Sequence, residues 1–234
     1  MMSFQEILNK FVTGFSQIFT GLPSNIGTIL ASPMTIVTII GLAVIILVLL
    51  KARKTKFDVR MITTIAIALA LSVVLSLFKI YQLPQGGSVT LASMVPIILI
   101  AYIYGPGVGM LTGFIYGLLT LLINPYILQP IQVLFDYPLP FLCLGIAGFF
   151  PKKRLLGAII AIFFRFVCHV ISGVAFYGSY APAGMSPLVY SIVYNGSFLL
   201  PDTIICLVVL YFLPIDRIIK NVNKYKPTKT NTQK

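Results

Sequence analysis

From residue 34 onward the sequence runs in long apolar blocks separated by short polar, basic or glycine- and proline-containing joints. The first block, residues 34–50, ends on Lys51, Arg53, Lys54, Lys56 and Arg60. At about 1.5 Å per helical residue it just crosses a hydrocarbon layer of ~30 Å. The same pattern predicts spans over residues 61–80, 89–104, 108–123, 131–150 (interrupted by prolines), 155–180 and 188–213. The joints are a polar loop at 81–88, the turn Gly105-Pro106-Gly107, the loop 124–130 and the basic run Lys152-Lys153-Arg154. Ahead of the first span, residues 4–19 are amphipathic but lack the basic start and small-residue cleavage site of a signal peptide. An interfacial helix lying on the bilayer is expected there.

Composition narrows the class. Of 234 residues 58% are hydrophobic and 9% charged, with mean hydropathy +0.99, whereas soluble domains carry about a quarter charged residues. The fold class is therefore an all-α integral membrane protein. The net charge of +12 does not indicate nucleic acid, because the basic residues cluster at span ends. They follow the first span, follow the fifth, and fill the tail at Arg217, Lys220, Lys224, Lys226, Lys229 and Lys234. Positive-inside topology then places all of these in the cytoplasm, the C-terminus included, with the N-terminus outside a multi-pass protein of the cytoplasmic membrane. Cys143, Cys168 and Cys206 have no CxxC spacing and only one histidine is present, so no metal or disulfide framework is expected.

Within the spans, ionisable side chains are few: Asp136, Asp202, Arg165 and His169. Each costs about 2.5–3.5 kcal/mol at bilayer depth unless it has a partner, water or a function. Arg165 and Asp202 fall at similar depth, and a structural ion pair between them is expected. His169, Gly173 and Tyr177 continue the Arg165 face at four-residue steps. Asp136 and Tyr137 on the fifth span, with Tyr190 and Asn195 on the seventh, lie at the same outer depth as His169. One carboxylate, one imidazole, one amide and several phenols suit a small-molecule pocket for an aromatic cation better than one for an anion or a sugar. Gly109, Gly113 and Gly117 line one face of the fourth span, as a close packing seam or, alternatively, a ligand contact.

Several stretches together resemble a known family. They are Phe57-Asp58-Val59-Arg60, Gly86-Gly87-Ser88 with Met94-Val95-Pro96-Ile97, Asn124-Pro125-Tyr126, and Asp136-Tyr137-Pro138. Leu144-Gly145-Ile146-Ala147-Gly148, the Arg165, His169, Gly173, Tyr177 series, and Tyr190 followed by Asn195-Gly196 complete the set. In order and spacing this resembles the thiamine-specific substrate-binding (S) components of energy-coupling factor (ECF) transporters, the ThiT type, over about residues 57–213.

The resemblance implies a six-helix bundle that captures thiamine from outside, without a cofactor of its own. A separate transmembrane (T) component and two cytoplasmic ATPases would drive uptake. By position, the thiamine-binding residues would be Tyr126, Asp136, Tyr137, His169, Gly173, Tyr177, Tyr190 and Asn195. Asp136 would meet the positive charge or an aminopyrimidine, Tyr177 and His169 would stack, and Asn195 and Tyr190 would meet polar ring and hydroxyl groups. Ala66 and Ala70, beside Ala68 and Ser72, would dock the T component. The organisation expected is an amphipathic segment at 1–31, an extra span and basic linker at 32–56, the thiamine-binding domain at 57–213 and a basic tail at 214–234. The chain departs from the family in three ways: it has no tryptophan, with Gly87 in the loop where some relatives carry one; Asp136 stands where some carry Glu; and it has the extra first span.

Other classes fit less well. No GxxxxGK[ST] phosphate loop occurs, so the chain would hydrolyse no ATP itself. A proton-coupled carrier using Asp202, Arg165 and His169 would call for matching broken helices in two inverted repeats, which the pattern lacks. An intramembrane enzyme lacks paired acids or a metal-binding cluster. An S component for another vitamin would share the fold and differ only in the pocket.

Overall fold

The computed structural model describes Gln5 and residues 33–224. The rest of the amphipathic segment expected at 4–19, and the tail with Lys226, Lys229 and Lys234, lie outside the described residues. The chain divides into two compact units, Met1–Ala43 and Val44–Lys234. Helix α1 (Pro33–Arg53) starts in the first unit and runs into the second. It is apolar on every side, and Ile39, Ile40, Ile46, Leu47 and Leu50 are exposed, as befits a helix surrounded by lipid.

Helix α2 (Val59–Leu77) begins at Asp58, whose carboxylate accepts from Met61 N at 2.7 Å. This N-cap meets one of the free N–H groups of the first turn. The helix buries Ile65, Ala68 and Ser72 and exposes Ile62, Ile67 and Leu71. It ends three residues short of the expected boundary, and the chain forms an antiparallel hairpin of β1 (Lys79–Gln82) and β2 (Ser88–Thr90). Leu83 N donates to Gly87 O at 2.7 Å, and Gly86 takes φ 91°, so glycine is required in this turn.

The expected span 89–104 is corrected by the structure: β2 occupies its start, and only α3 (Val95–Tyr104) is helical. Ten residues rise about 15 Å, half a hydrocarbon layer. The pivot is Ala92, a left-handed residue at φ 58°. Helix α3 is apolar because it lies in the centre of the bundle, with Ile97, Ile98 and Ala101 fully buried.

Helix α4 (Pro106–Ile123) follows directly. The expected proline-broken span is α5 (Pro130–Asp136), α6 (Pro138–Cys143) and a 3-10 turn, Leu144–Phe149. Pro138 has no N–H to carry the ladder past Tyr137, so a new helix starts there, and Pro140 falls in its first turn, where no intrahelical donor is needed. Helix α7 (Arg154–Phe176) stops before a 3-10 turn at Gly178–Tyr180, short of the expected boundary at 180. Helix α8 (Pro187–Phe212) is capped by Ser186 and leads to a short amphipathic helix, α9 (Ile215–Lys224). Among the described residues six segments are long and apolar enough to cross a membrane. The glycine face of α4 is a packing seam: a Cβ on Gly113 would collide with Phe141 O, and one on Gly117 would lie 2.5 Å from Tyr137 O.

The basic joints gather at one end. The Tyr102 hydroxyl donates to Arg154 O, and Arg154 grips Asp216 through Nη1–Oδ2 at 3.0 Å and Nη2–Oδ1 at 2.6 Å. That guanidinium holds the Asp216 carboxyl below the usual carboxylate range. The hairpin, the 124–126 segment and the Gly178–Tyr180 turn occupy the opposite end.

Candidate functional site

Between the hairpin, the 124–126 segment and helices α5, α7 and α8 lies a cavity of about 300 Å³, at the lower end of small-ligand pockets. All eight residues expected to bind ligand line it: Tyr126, Asp136, Tyr137, His169, Gly173, Tyr177, Tyr190 and Asn195.

Asp136 closes α5 and is the centre of the polar wall. Its Oδ2 accepts from Gln132 Nε2 at 2.5 Å and from the Tyr177 hydroxyl at 3.0 Å, and its Oδ1 lies 3.5 Å from His169 Nδ1. Arg165, one turn below on α7, donates from Nε to His169 Nε2 at 3.4 Å. That makes Nε2 the acceptor and puts the imidazole proton on Nδ1, facing Asp136.

Asn195 donates from Nδ2 to Ser191 O at 2.9 Å and His169 O at 3.3 Å. Its Oδ1 has no protein partner among the described residues, which leaves a fixed acceptor for a ligand amine. Gly173 lets α7 and α8 approach here, since a Cβ would collide with Ser191 Oγ and lie 3.3 Å from Asn195 Nδ2.

The mouth is aromatic. Tyr126 stacks on Tyr177 at 6.0 Å and 21°, and Tyr180 lies 6.0 Å from Tyr177. Buried Tyr137 holds the entrance segment, donating to Asn124 O at 3.0 Å and accepting from Tyr126 N at 2.7 Å. Tyr190 lies 5.9 Å from Tyr194, whose hydroxyl accepts from Gly87 N at 3.3 Å. Phenol faces arranged around a carboxylate attract a flat cation.

One expectation is corrected. Arg165 and Asp202 both line the cavity, yet no ion pair joins them among the described residues. Asp202 Oδ1 is taken by Thr90 N and Thr90 Oγ1, each at 3.0 Å. Arg165 lies over the Phe141 ring at 4.3 Å, with Nη1 buried and without a hydrogen bond. The strand β2, unseen in the sequence, supplies the donors that take the place of arginine. Tyr81, on β1, is 56% exposed and does not line the cavity.

Sequence reasoning missed Gln132, Tyr180, Tyr194 and Phe198, all but Tyr180 in the cavity wall. A signal was present for most of them. Gln132 precedes Asp136 by one helical turn, and Tyr190, Tyr194 and Phe198 share one face of α8. On α2, Ala66 and Ala70 are exposed while Ala68 and Ser72 are buried.

A polytopic helical bundle with a polar, aromatic-mouthed pocket is the form of a membrane protein that takes up a small solute. The chain belongs to the thiamine transporter protein family, whose pattern spans residues 62–221. It is 36% identical over 178 residues to thiamine transporter ThiT of Bacillus subtilis, covering 67% of this chain and 92% of that one. ThiT of Lacticaseibacillus paracasei is 31% identical over 137 residues, 50% of this chain and 68% of its own length. The solved structure of ThiT from Listeria monocytogenes matches with TM-score 0.54 at 26% identity, covering 70% of this chain and 95% of that one. The family's business is transport and not catalysis.

Proposed function

We propose that the chain is a thiamine-binding S component of an ECF transporter. It takes thiamine from outside into the cavity around Asp136 and passes it inward with a T component and two ATPases. The observation that carries this reading is the Asp136 cluster: a carboxylate flanked by His169 and Tyr177, beneath the Tyr126 and Tyr180 rings. Thiamine offers what those groups take: one fixed positive charge, two flat rings and an exocyclic amine. In this reading the carboxylate offsets the charge or binds the amine, His169 and Tyr177 face a ring, and Asn195 Oδ1 with Tyr190 meets ring and hydroxyl groups.

The basic end is cytoplasmic and the pocket mouth opens outside, by the positive-inside rule. Residues 57–213 form the binding domain, 32–56 an added span with its basic linker, 1–31 an amphipathic segment and 214–234 a cytoplasmic tail. The exposed Ala66 and Ala70 face of α2 suits close approach of a T-component helix.

A thiamine titration of the purified protein, with riboflavin as control, tests the reading. The chain has no tryptophan, so its emission comes from tyrosine, the tyrosines of the mouth included, and the heat of binding gives an independent readout. Tight thiamine binding that is lost in Asp136→Ala supports it; no thiamine binding, or equal binding of riboflavin, rejects it.

A further inference from the structure

Gln132 joins four groups of the pocket wall: Leu128 N, Tyr126 O, Asp136 Oδ2 and the Tyr177 hydroxyl. It is fully buried on α5, one turn before Asp136. Its Oε1 accepts from Leu128 N at 3.0 Å. Its Nε2 lies 3.1 Å from Tyr126 O, 2.5 Å from Asp136 Oδ2 and 3.1 Å from the Tyr177 hydroxyl. The two N–H bonds of one amide thus face three acceptors. One N–H is therefore shared between two of them, while Tyr177 turns its own proton toward Asp136 Oδ2 and presents its oxygen to Gln132.

The two oxygens of Asp136 are therefore unequal. Oδ2 is occupied by two protein donors, whereas Oδ1 has only His169 Nδ1 at 3.5 Å, a long contact. Oδ1 is the oxygen with capacity left for a ligand. Resting on the reading of Asp136 as the ligand's carboxylate, we infer that Gln132 is a positioning residue. It fixes the Asp136 side chain so that Oδ1 faces the cavity. Through Tyr126 O and Leu128 N it also ties the entrance segment to that carboxylate, so that capture of a ligand at Asp136 tightens the mouth.

The experiment uses the full chain in detergent, with Gln132→Met, Asp136→Asn and the double variant, because methionine fills the site without N–H donors. Gln132→Met weakens thiamine binding about ten- to a hundredfold, the range for losing hydrogen bonds to a charged group. In the Asp136→Asn background the same change costs less than about twofold, because the two residues act as one unit. A residue that only holds the bundle together lowers affinity equally in both backgrounds, and that result overturns the inference. If Gln132→Met does not fold, Gln132→Asn carries the same expectation, since its amide stops one methylene short of Asp136.

Failure of the parent protein to bind thiamine sinks the functional reading, and the link is then decided without ligand. Hydrogen exchange over residues 124–130 must speed up in both Gln132→Met and Asp136→Asn, by about tenfold if one local contact holds the segment. Unchanged exchange in either variant overturns the inference.

Discussion

Asp202, in the middle of α8, accepts two hydrogen bonds from Thr90, one from its backbone N–H and one from its hydroxyl, both at 3.0 Å. The Thr90 hydroxyl also pairs with Ser93 Oγ at 2.7 Å. A carboxylate buried to 2% exposure thereby anchors the end of β2, and with it the hairpin over the pocket. Asp202→Ala should cost about 1–3 kcal/mol, because buried donors are left unmet. Thr90→Val should reproduce part of the loss, and the double variant should show less than the sum. Thermal unfolding in detergent measures all three; additive losses would mean that Asp202 acts elsewhere.

The hairpin's other anchor is Gly87, which packs on Phe198. A Cβ there would lie 2.7 Å from the Phe198 ring. Gly87→Ala should loosen the turn and weaken thiamine binding by about tenfold, the scale of one lost hydrogen bond with some displaced packing. Phe198→Ala in the same chain should restore part of the loss by opening the space. Binding titrations decide, and the idea fails if the second change only adds damage.

Gly113 and Gly117 bring α4 against the backbone of the broken segment. Gly113→Ala should destabilise by about 1–3 kcal/mol, because backbone cannot move aside as a flexible side chain can. The check is the melting temperature, with Gly184→Ala as a contrast. Nothing lies within 4 Å of a Cβ on Gly184, so any cost there comes from its φ of 86° alone.

At the basic end, Asp216 is an exposed carboxylate with its pKa lowered by Arg154. A lowered folded-state value means that the stabilisation is fully present above the unfolded carboxylate's pKa of about 3.9 and is lost as pH falls through the lower folded value. Docking of α9 should therefore be independent of pH near neutrality and weaken in acid below about pH 4. Asp216→Asn should loosen α9 already at neutral pH, while Ile215 and Ile219 keep it packed on the core. Hydrogen exchange across Ile215–Lys224 would reveal a contrary result as equal protection in both proteins.

If Ala66 and Ala70 receive a T-component helix, Ala66→Leu with Ala70→Leu should leave thiamine binding within about twofold, since both side chains are exposed away from the cavity. Uptake by cells should fall at least tenfold, because bulky residues keep helices apart. Normal uptake with intact binding would reject this docking face.

Much of the chain could be read directly from its sequence. Uninterrupted apolar runs bounded by Lys and Arg report transfer free energy, a local quantity, so α1, α2, α4, α7 and α8 and the shared basic end were legible within a few residues. The site was legible where helical periodicity put chemistry on one face, as with Arg165, His169 and Gly173 on α7, or where motif order matched a family, as with Asp136, Tyr126 and Asn195. Pairing between distant segments was not. Hydropathy could not separate a half-length helix in the bundle core from a full span, because Val89 and Ile97 are equally apolar whether lipid or protein surrounds them. Nor could it show that Thr90 would reach Asp202 before Arg165 did, or that Gln132 would serve Tyr126, Leu128, Asp136 and Tyr177 together. Those contacts depend on where several helices place their side chains relative to one another, and only the folded bundle fixes that.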